Sequence, residues 1–134
     1  MFGTFQQSQL RIEIAASASD LTRALLSPQH LRCWLLPQVI PEELPPELSP
    51  GITFTSWIGP VPVEHKVESV EADAIRFSLS RAVDGVHDWS WGEGWVQSRL
   101  EGISWIPLRL GNTATLLRLK TYLALQHQFQ SPQT

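Results

Sequence analysis

Residues 4–14 alternate in polarity, with Leu10, Ile12 and Ile14 on one face and Gln9, Arg11 and Glu13 on the other. That period of two predicts a half-buried strand. Ser17 and Ser19 then offer helix-capping hydroxyls, and Asp20 suits the positive end of a helix dipole. Leu21, Leu25 and Leu26 predict a short amphipathic helix ending near Ser27. Pro28 fits the first position of a second short helix, with Ser27 as its cap and Leu31, Trp34 and Leu35 as its apolar stripe. Residues 36–50 hold five prolines, each removing a donor and fixing a dihedral. This predicts a stiff loop wrapping one end of the domain, with Val39 and Ile40 turned towards the core.

After Gly51 the period of two returns. Residues 52–58 place Ile52, Phe54 and Ile58 opposite Thr53, Thr55 and Trp57, and Gly59-Pro60 makes a turn. Residues 61–70 carry Val61, Val63, Val67 and Val70 out of strict phase, which predicts a bulge or a change of face. Glu71-Ala72-Asp73 is read as a turn, and 74–82 as a strand with Ile75, Phe77 and Leu79 opposite Arg76, Ser78 and Ser80. Asp84-Gly85 signals a hairpin turn, followed by a tryptophan-rich strand running through Val96 and Leu100. Gly102 to Pro107 is read as an irregular apolar loop and Gly111-Asn112 as a turn. A last long strand is predicted over 114–125, with Leu117, Leu119 and Leu123 against Arg118, Lys120 and Tyr122, then a frayed polar tail over 126–134. One strand, two short helices and an antiparallel meander make a single α+β domain over residues 1–134.

The organising stretch is Trp89-Ser90-Trp91-Gly92-Glu93-Gly94-Trp95-Val96. As one extended strand it puts Trp89, Trp91, Glu93 and Trp95 on the same side. Three indoles around a carboxylate are either packed core or the wall of a ligand cleft, and the residues allow both. Inside a cleft, Glu93 would be desolvated, its pKa raised, and able to act as an acid or donor; turned out by a glycine bulge, it would simply be solvated. Trp34 and Trp105 are read as packing residues.

Composition narrows the function classes. Of 134 residues, 17% are charged, below the ~25% usual for soluble domains. The net charge is −3 and the ten Lys and Arg are scattered, so no basic stripe exists to neutralise nucleic-acid phosphates. A single cysteine, Cys33, excludes an internal disulfide and a Cys-rich metal site, and its apolar neighbours predict a buried thiol. The N-terminus lacks a signal-peptide pattern and no apolar run is long enough to span a bilayer, which predicts a soluble, cytoplasmic protein. His30, His65 and His127 show no ligand spacing, so no metal is expected. His87-Asp88 are strand neighbours that point apart, and are read as solvated residues beside the Asp84-Gly85 turn. Arg76 fits a surface ion pair or a ligand carboxylate, and the Tyr122 hydroxyl fits a ligand or a half-buried strand position. No nucleophile elbow, phosphate loop, dinucleotide fingerprint or CxxC is present. Neither a cofactor nor a catalytic residue is expected.

This order of elements resembles the START-like (SRPBCC) superfamily, which includes plant pathogenesis-related proteins, lipid-transfer START domains and bacterial polyketide cyclase/dehydrase-like proteins. The likeness rests on Leu35-Leu36-Pro37, on Gly51, on Ile58-Gly59-Pro60-Val61-Pro62-Val63, and on Gly85 followed four residues later by Trp89. It spans residues 4–124. It implies a helix-grip fold, a curved antiparallel sheet of six or seven strands with two short helices between the first and second strands. Many bacterial members run on to His, His and Phe at alternate positions, where this chain has Trp91, Glu93 and Trp95. The family's C-terminal helix of about twenty residues, spanning ~30 Å, roofs a ligand cavity. With only a short tail after the last predicted strand, and Pro132 within it, that helix is expected to be absent or truncated.

The function implied is non-catalytic binding of a hydrophobic small molecule or lipid, with Trp89, Trp91, Glu93, Trp95, Trp57, Arg76 and Tyr122 as the ligand-binding set. One alternative is an interaction domain, or a homo-oligomer, that covers the exposed sheet face. The other is a cyclase/dehydrase-like enzyme in which Glu93 steers a proton, helped by Tyr122 or Arg76.

Overall fold

The structure, a computed structural model, describes residues 3–35, 40 and 43–130, the last four of these by backbone alone. The elements in order are β1 (Thr4–Glu13), α1 (Ala18–Leu26), α2 (Pro28–Trp34), β2 (Thr53–Ile58), β3 (Val61–Glu71), β4 (Ala74–Arg81), β5 (Val83–Gly92), β6 (Trp95–Ser104) and α3 (Leu108–Gln130). Among the described residues the six strands form one antiparallel sheet in the order β1-β6-β5-β4-β3-β2. β2 to β6 are a meander, and β1 returns to pair with β6.

The helices begin where local chemistry allows. Ser17 Oγ accepts from the Asp20 N–H at 3.1 Å while the Asp20 carboxylate accepts from the Ser17 N–H at 3.2 Å, a reciprocal cap. Pro28 opens α2, where its missing N–H costs nothing, although Ser27 makes no side-chain cap bond there. Helix α3 is started by a residue at the far end of the chain. Gln6 Oε1 accepts from the Leu108 N–H at 2.9 Å, and Gln6 Nε2 donates to the Ser104 and Ile106 carbonyls at 2.9 and 2.8 Å.

The expectation of an absent or truncated C-terminal helix is overturned: α3 runs for 23 residues across β1 and β6. The predicted strand over 114–125 and the frayed tail up to Gln130 are therefore helix. The buried residues Leu108, Asn112, Leu116, Leu119 and Leu123 recur at intervals of three and four, the helical period. The alternation of Leu117 and Leu119 mimicked a strand, but Leu117 is exposed. The Gly111-Asn112 pair looked like a turn because Asn112, a poor helix former, serves as a buried hydrogen-bonding residue instead.

Two turns also shift. Asp84-Gly85 lies inside β5, and the chain reverses at Arg81-Ala82, with Arg81 at φ 74°. Gly85 is needed for close strand approach, since a side chain there would run into the Glu101 carbonyl. The tryptophan strand is broken into a hairpin at Glu93-Gly94, with Gly94 at φ 79°. The expected irregularity in β3 is a register shift between Val67 and Ser69. In the Pro-rich segment Ile40 and Leu48 are buried, whereas Val39 lies outside the described residues.

All three helices cover one face of the sheet. Phe54, Val63, Val67, Ile75, Phe77, Leu79, Trp89, Trp91, Val96 and Leu100 point into this layer and meet Leu21, Leu25, Leu31, Trp34, Leu116 and Leu119. Contrary to expectation Cys33 is exposed, and Trp105 is 65% exposed. Among the described residues no helix is long and apolar enough to cross a membrane.

Candidate functional site

The period of two in β5 turns Val83, Gly85, His87, Trp89 and Trp91 to the covered face. Both central indoles are deeply buried, Trp89 at 4% and Trp91 at 1% exposure. Their cover differs. Trp34 of α2 meets Trp89 edge-on at 5.9 Å between ring centroids, and the Trp91 Nε1–H donates to Thr22 Oγ1 of α1 at 2.9 Å. Trp34 itself is fixed by a 2.9 Å donation to the Ala24 carbonyl.

Two histidines stand beside this aromatic group. His65, on β3, stacks on Phe54 at 4.9 Å and meets the edge of Phe77 at 5.6 Å. Its Nε2 lies 3.0 Å from Ser56 Oγ, while Nδ1 is shut off from solvent and has no hydrogen-bond partner among the described residues. His87, on β5, packs against Trp89 at 4.8 Å, and its Nε2 lies 2.7 Å from Ser98 Oγ. Burial lowers the His65 pKa to about 4. Burial, reinforced by His65, lowers that of His87 to about 3, against a smaller opposing pull from Asp88. Both imidazoles are therefore neutral at physiological pH.

A polar relay links His87 to the helix roof. Ser98 Oγ donates to Asn112 Oδ1 at 2.6 Å, and Asn112 Nδ2 donates to Ser8 Oγ at 3.1 Å and to the Ser98 carbonyl at 3.3 Å. The chain Ser8–Asn112–Ser98–His87 thus ties β1, α3, β6 and β5 together through buried hydrogen bonds, each worth about 1 kcal/mol net but costly to leave half-made.

Between the sheet and the helices lie two adjoining chambers of about 40 and 80 Å3. The smaller is walled by Leu25, Leu31, Trp34, Phe54, Phe77 and Trp89, the larger by Ile58, Val63, Leu79, Val83, Leu100 and Leu108. His65, His87 and Thr115 border both. The cavity is thus apolar around a waist of two neutral imidazoles and Thr115, whose hydroxyl donates to the Gly111 carbonyl at 2.8 Å.

Of the residues expected to bind ligand, the structure brings Trp89 to this cavity and Trp91 to the same face but against α1. The shared face predicted for Trp89, Trp91, Glu93 and Trp95 is not formed, because the turn at Glu93-Gly94 changes the phase. Glu93 Oε1 accepts from the Ala18 N–H at 3.0 Å and caps α1. Trp95 lies on the opposite face, with the Arg11 guanidinium 4.0 Å from its ring centroid. Trp57, 40% exposed, also points away from the cavity, with Arg81 6.0 Å from its ring. Arg76 makes a two-point ion pair with Asp88 on the exposed face, at 2.6 and 3.0 Å.

Tyr122 sits on α3 and faces α2, its hydroxyl 2.6 Å from His30 Nδ1 and accepting from Gln126 Nε2 at 2.7 Å. Burial pushes the Tyr122 phenol above its ordinary pKa. It borders an open groove shared with Cys33, Leu117 and Leu125, separate from the cavity. The sequence marks His87 as a solvated turn residue, but it lies inside β5 and faces the cavity. By sequence His65 stands only as a possible metal ligand and Asn112 only as part of a turn, and Ser98 and Thr115 are not singled out. For His87 the signal was available, since it shares the phase of Trp89 and Trp91.

No family model matches this chain, and no curated protein sequence matches it. Solved structures do. Protein Mll3558 from Rhizobium loti superposes with a TM-score of 0.72 at 10% identity, over 91% of this chain and 99% of its own. The Aha1 dimer from Colwellia psychrerythraea gives 0.64 at 16% identity, over 88% of this chain and 96% of its own. DynU16, encoded in the dynemicin biosynthetic locus, gives 0.68 at 16% identity over 88% of this chain, which spans about half (47%) of DynU16. At these identities the likeness is one of fold. Together with the long helix lying across an antiparallel sheet, it shows a helix-grip-like α+β fold.

Proposed function

We propose that this chain is a non-catalytic binding module that holds a small hydrophobic molecule between the sheet and α3, with Trp89 as an aromatic wall. The observation that carries this reading is the pair of apolar chambers meeting at His65, His87 and Thr115. Protein interiors leave few voids larger than a water molecule, and an apolar cleft with a few convergent polar groups is the usual make-up of a small-molecule site. The volumes suit a compact, ring-sized guest. A long acyl chain would require α3 to lift from β1 and β6.

The other two readings draw less support from the sheet face and from Glu93. Self-association was argued from an uncovered inner face, which α3 covers. Proton transfer by Glu93 was argued from a carboxylate among indoles, whereas Glu93 caps α1.

The test is a titration of intrinsic tryptophan fluorescence with single-ring aromatics and with phospholipid. A saturable response to the ring compounds that is abolished by Thr115→Phe, a substitution that fills the cavity waist, is the expected outcome. An unchanged response in a folded Thr115→Phe variant, or no response at all, contradicts the proposal.

A further inference from the structure

The relay above His87 determines which of its nitrogens carries a proton. Asn112 Oδ1 must face Ser98 Oγ, because the reversed amide would aim an oxygen at the Ser98 carbonyl, 3.3 Å from Nδ2. The single Ser98 hydroxyl proton is therefore committed to Asn112 Oδ1, and Ser98 Oγ accepts from its other neighbour, His87 Nε2. A neutral imidazole with its proton on Nε2 has a bare Nδ1. His87 Nδ1 has no hydrogen-bond partner among the described residues, and His87 borders both chambers. A bare Nδ1 on a residue that borders both chambers is a candidate proton acceptor for a guest.

Resting on the binding reading above, we propose that the cavity selects an uncharged aromatic alcohol of about one ring, whose O–H donates to His87 Nδ1. The second imidazole suits the same group. His65 Nδ1 is buried and unpartnered, and a hydroxyl oxygen satisfies it in either tautomer, accepting from N–H or sharing its donation with a lone pair. The described wall residues of both chambers include no Lys or Arg. A carboxylate would enter without a counter-charge and face the His87 Nδ1 lone pair, so fatty and aromatic acids are disfavoured. Size sets the upper limit. A benzene-sized guest occupies a cavity of about 150 Å3, more than the ~40 and ~80 Å3 of the two chambers, so one ring is the most the cavity takes and its walls must yield slightly to admit it.

The test uses phenol, toluene and benzoate, which match in size and differ in the group offered. Each is titrated at neutral pH into protein carrying 15N-labelled histidine, with NMR reading affinity and the protonation of each ring nitrogen together. The free protein is expected to show His87 with a protonated Nε2 and a bare Nδ1 whose resonance moves on phenol binding. Phenol should bind about fivefold to tenfold more tightly than toluene, the ratio one net hydrogen bond gives, and benzoate should not bind. In Ser98→Ala the committed tautomer is released, so phenol's advantage should shrink while toluene affinity holds; a merely structural role would weaken both alike. His87→Phe, which needs no relay, should erase the preference for phenol over toluene, read as the ratio of their affinities whatever the change in each.

Toluene binding as tightly as phenol would overturn the alcohol selection and leave the binding reading standing. Benzoate binding more tightly than either, or a free His87 protonated at Nδ1, would also overturn it. Failure of all three probes would overturn both readings.

Discussion

Trp89 and Trp95 belong to one hairpin, yet their indoles stand on opposite faces of the sheet, one beside His87 under the helices and the other half-buried under Arg11 on the outer face. The turn at Glu93-Gly94 causes the split, and it also carries Glu93 to the N-terminus of α1. Glu93 is thereby a helix cap. Glu93→Ala should cost about 0.5–1 kcal/mol of stability, the usual worth of one exposed cap, and leave ligand affinity unchanged. Urea unfolding and a ring-compound titration of the same variant check both halves.

Buried imidazoles make the fold acid-sensitive. The folded pKa values, about 4 for His65 and about 3 for His87, lie below the ordinary 6.5. Between 6.5 and those values the unfolded chain takes up protons that the folded chain refuses, so stability is full above 6.5 and falls as pH drops through that window. Each histidine adds a limiting slope of about 1.4 kcal/mol per pH unit. Urea midpoints measured from neutral pH down to the acid limb should decline accordingly, and His65→Leu should flatten the decline. A wild-type midpoint independent of pH across this window would count against the buried, neutral state of both rings.

Asn112 is the hub through which α3 is tied to the sheet. Asn112→Ala leaves Ser98 and Ser8 short of partners in a buried layer, and should cost about 2–3 kcal/mol, the penalty for unsatisfied buried polar groups. Chemical denaturation with an unchanged m-value measures it.

Gln6 sets where α3 begins. Gln6→Ala removes the acceptor of the Leu108 N–H and the donor to the Ser104 and Ile106 carbonyls, and should cost about 1–2 kcal/mol. Amide hydrogen exchange should quicken first in the opening turn of α3, ahead of its middle around Leu119.

Strands β1 to β4 and the two short helices were legible because each follows a simple period or cap, as Leu10 with Ile12, Ile75 with Phe77 and Leu79, and Ser17 with Asp20. Strands β5 and β6 read as one strand, because the turn at Glu93-Gly94 sits inside a run of tryptophans. Helix α3 was not legible, since Leu117 breaks its apolar stripe from the exposed side and Asn112 occupies a buried position with a turn-forming residue. Gln6 caps it from about a hundred positions away, a relationship no local pattern encodes. The site failed to appear for a related reason. The tryptophans mark one strand, but the cavity imidazoles come from β3 and β5 and the relay behind His87 from β6 and α3, and only tertiary pairing brings His65, His87, Ser98 and Asn112 together.

The central claim is that a ring-sized guest lies beneath α3. Intermolecular nuclear Overhauser effects from bound phenol locate it most directly. The account predicts contacts from the ring protons to the methyls of Leu79, Val83 and Leu100, which wall the larger chamber. Contacts confined to Leu117 and Leu125, in the open groove between α2 and α3, would contradict it.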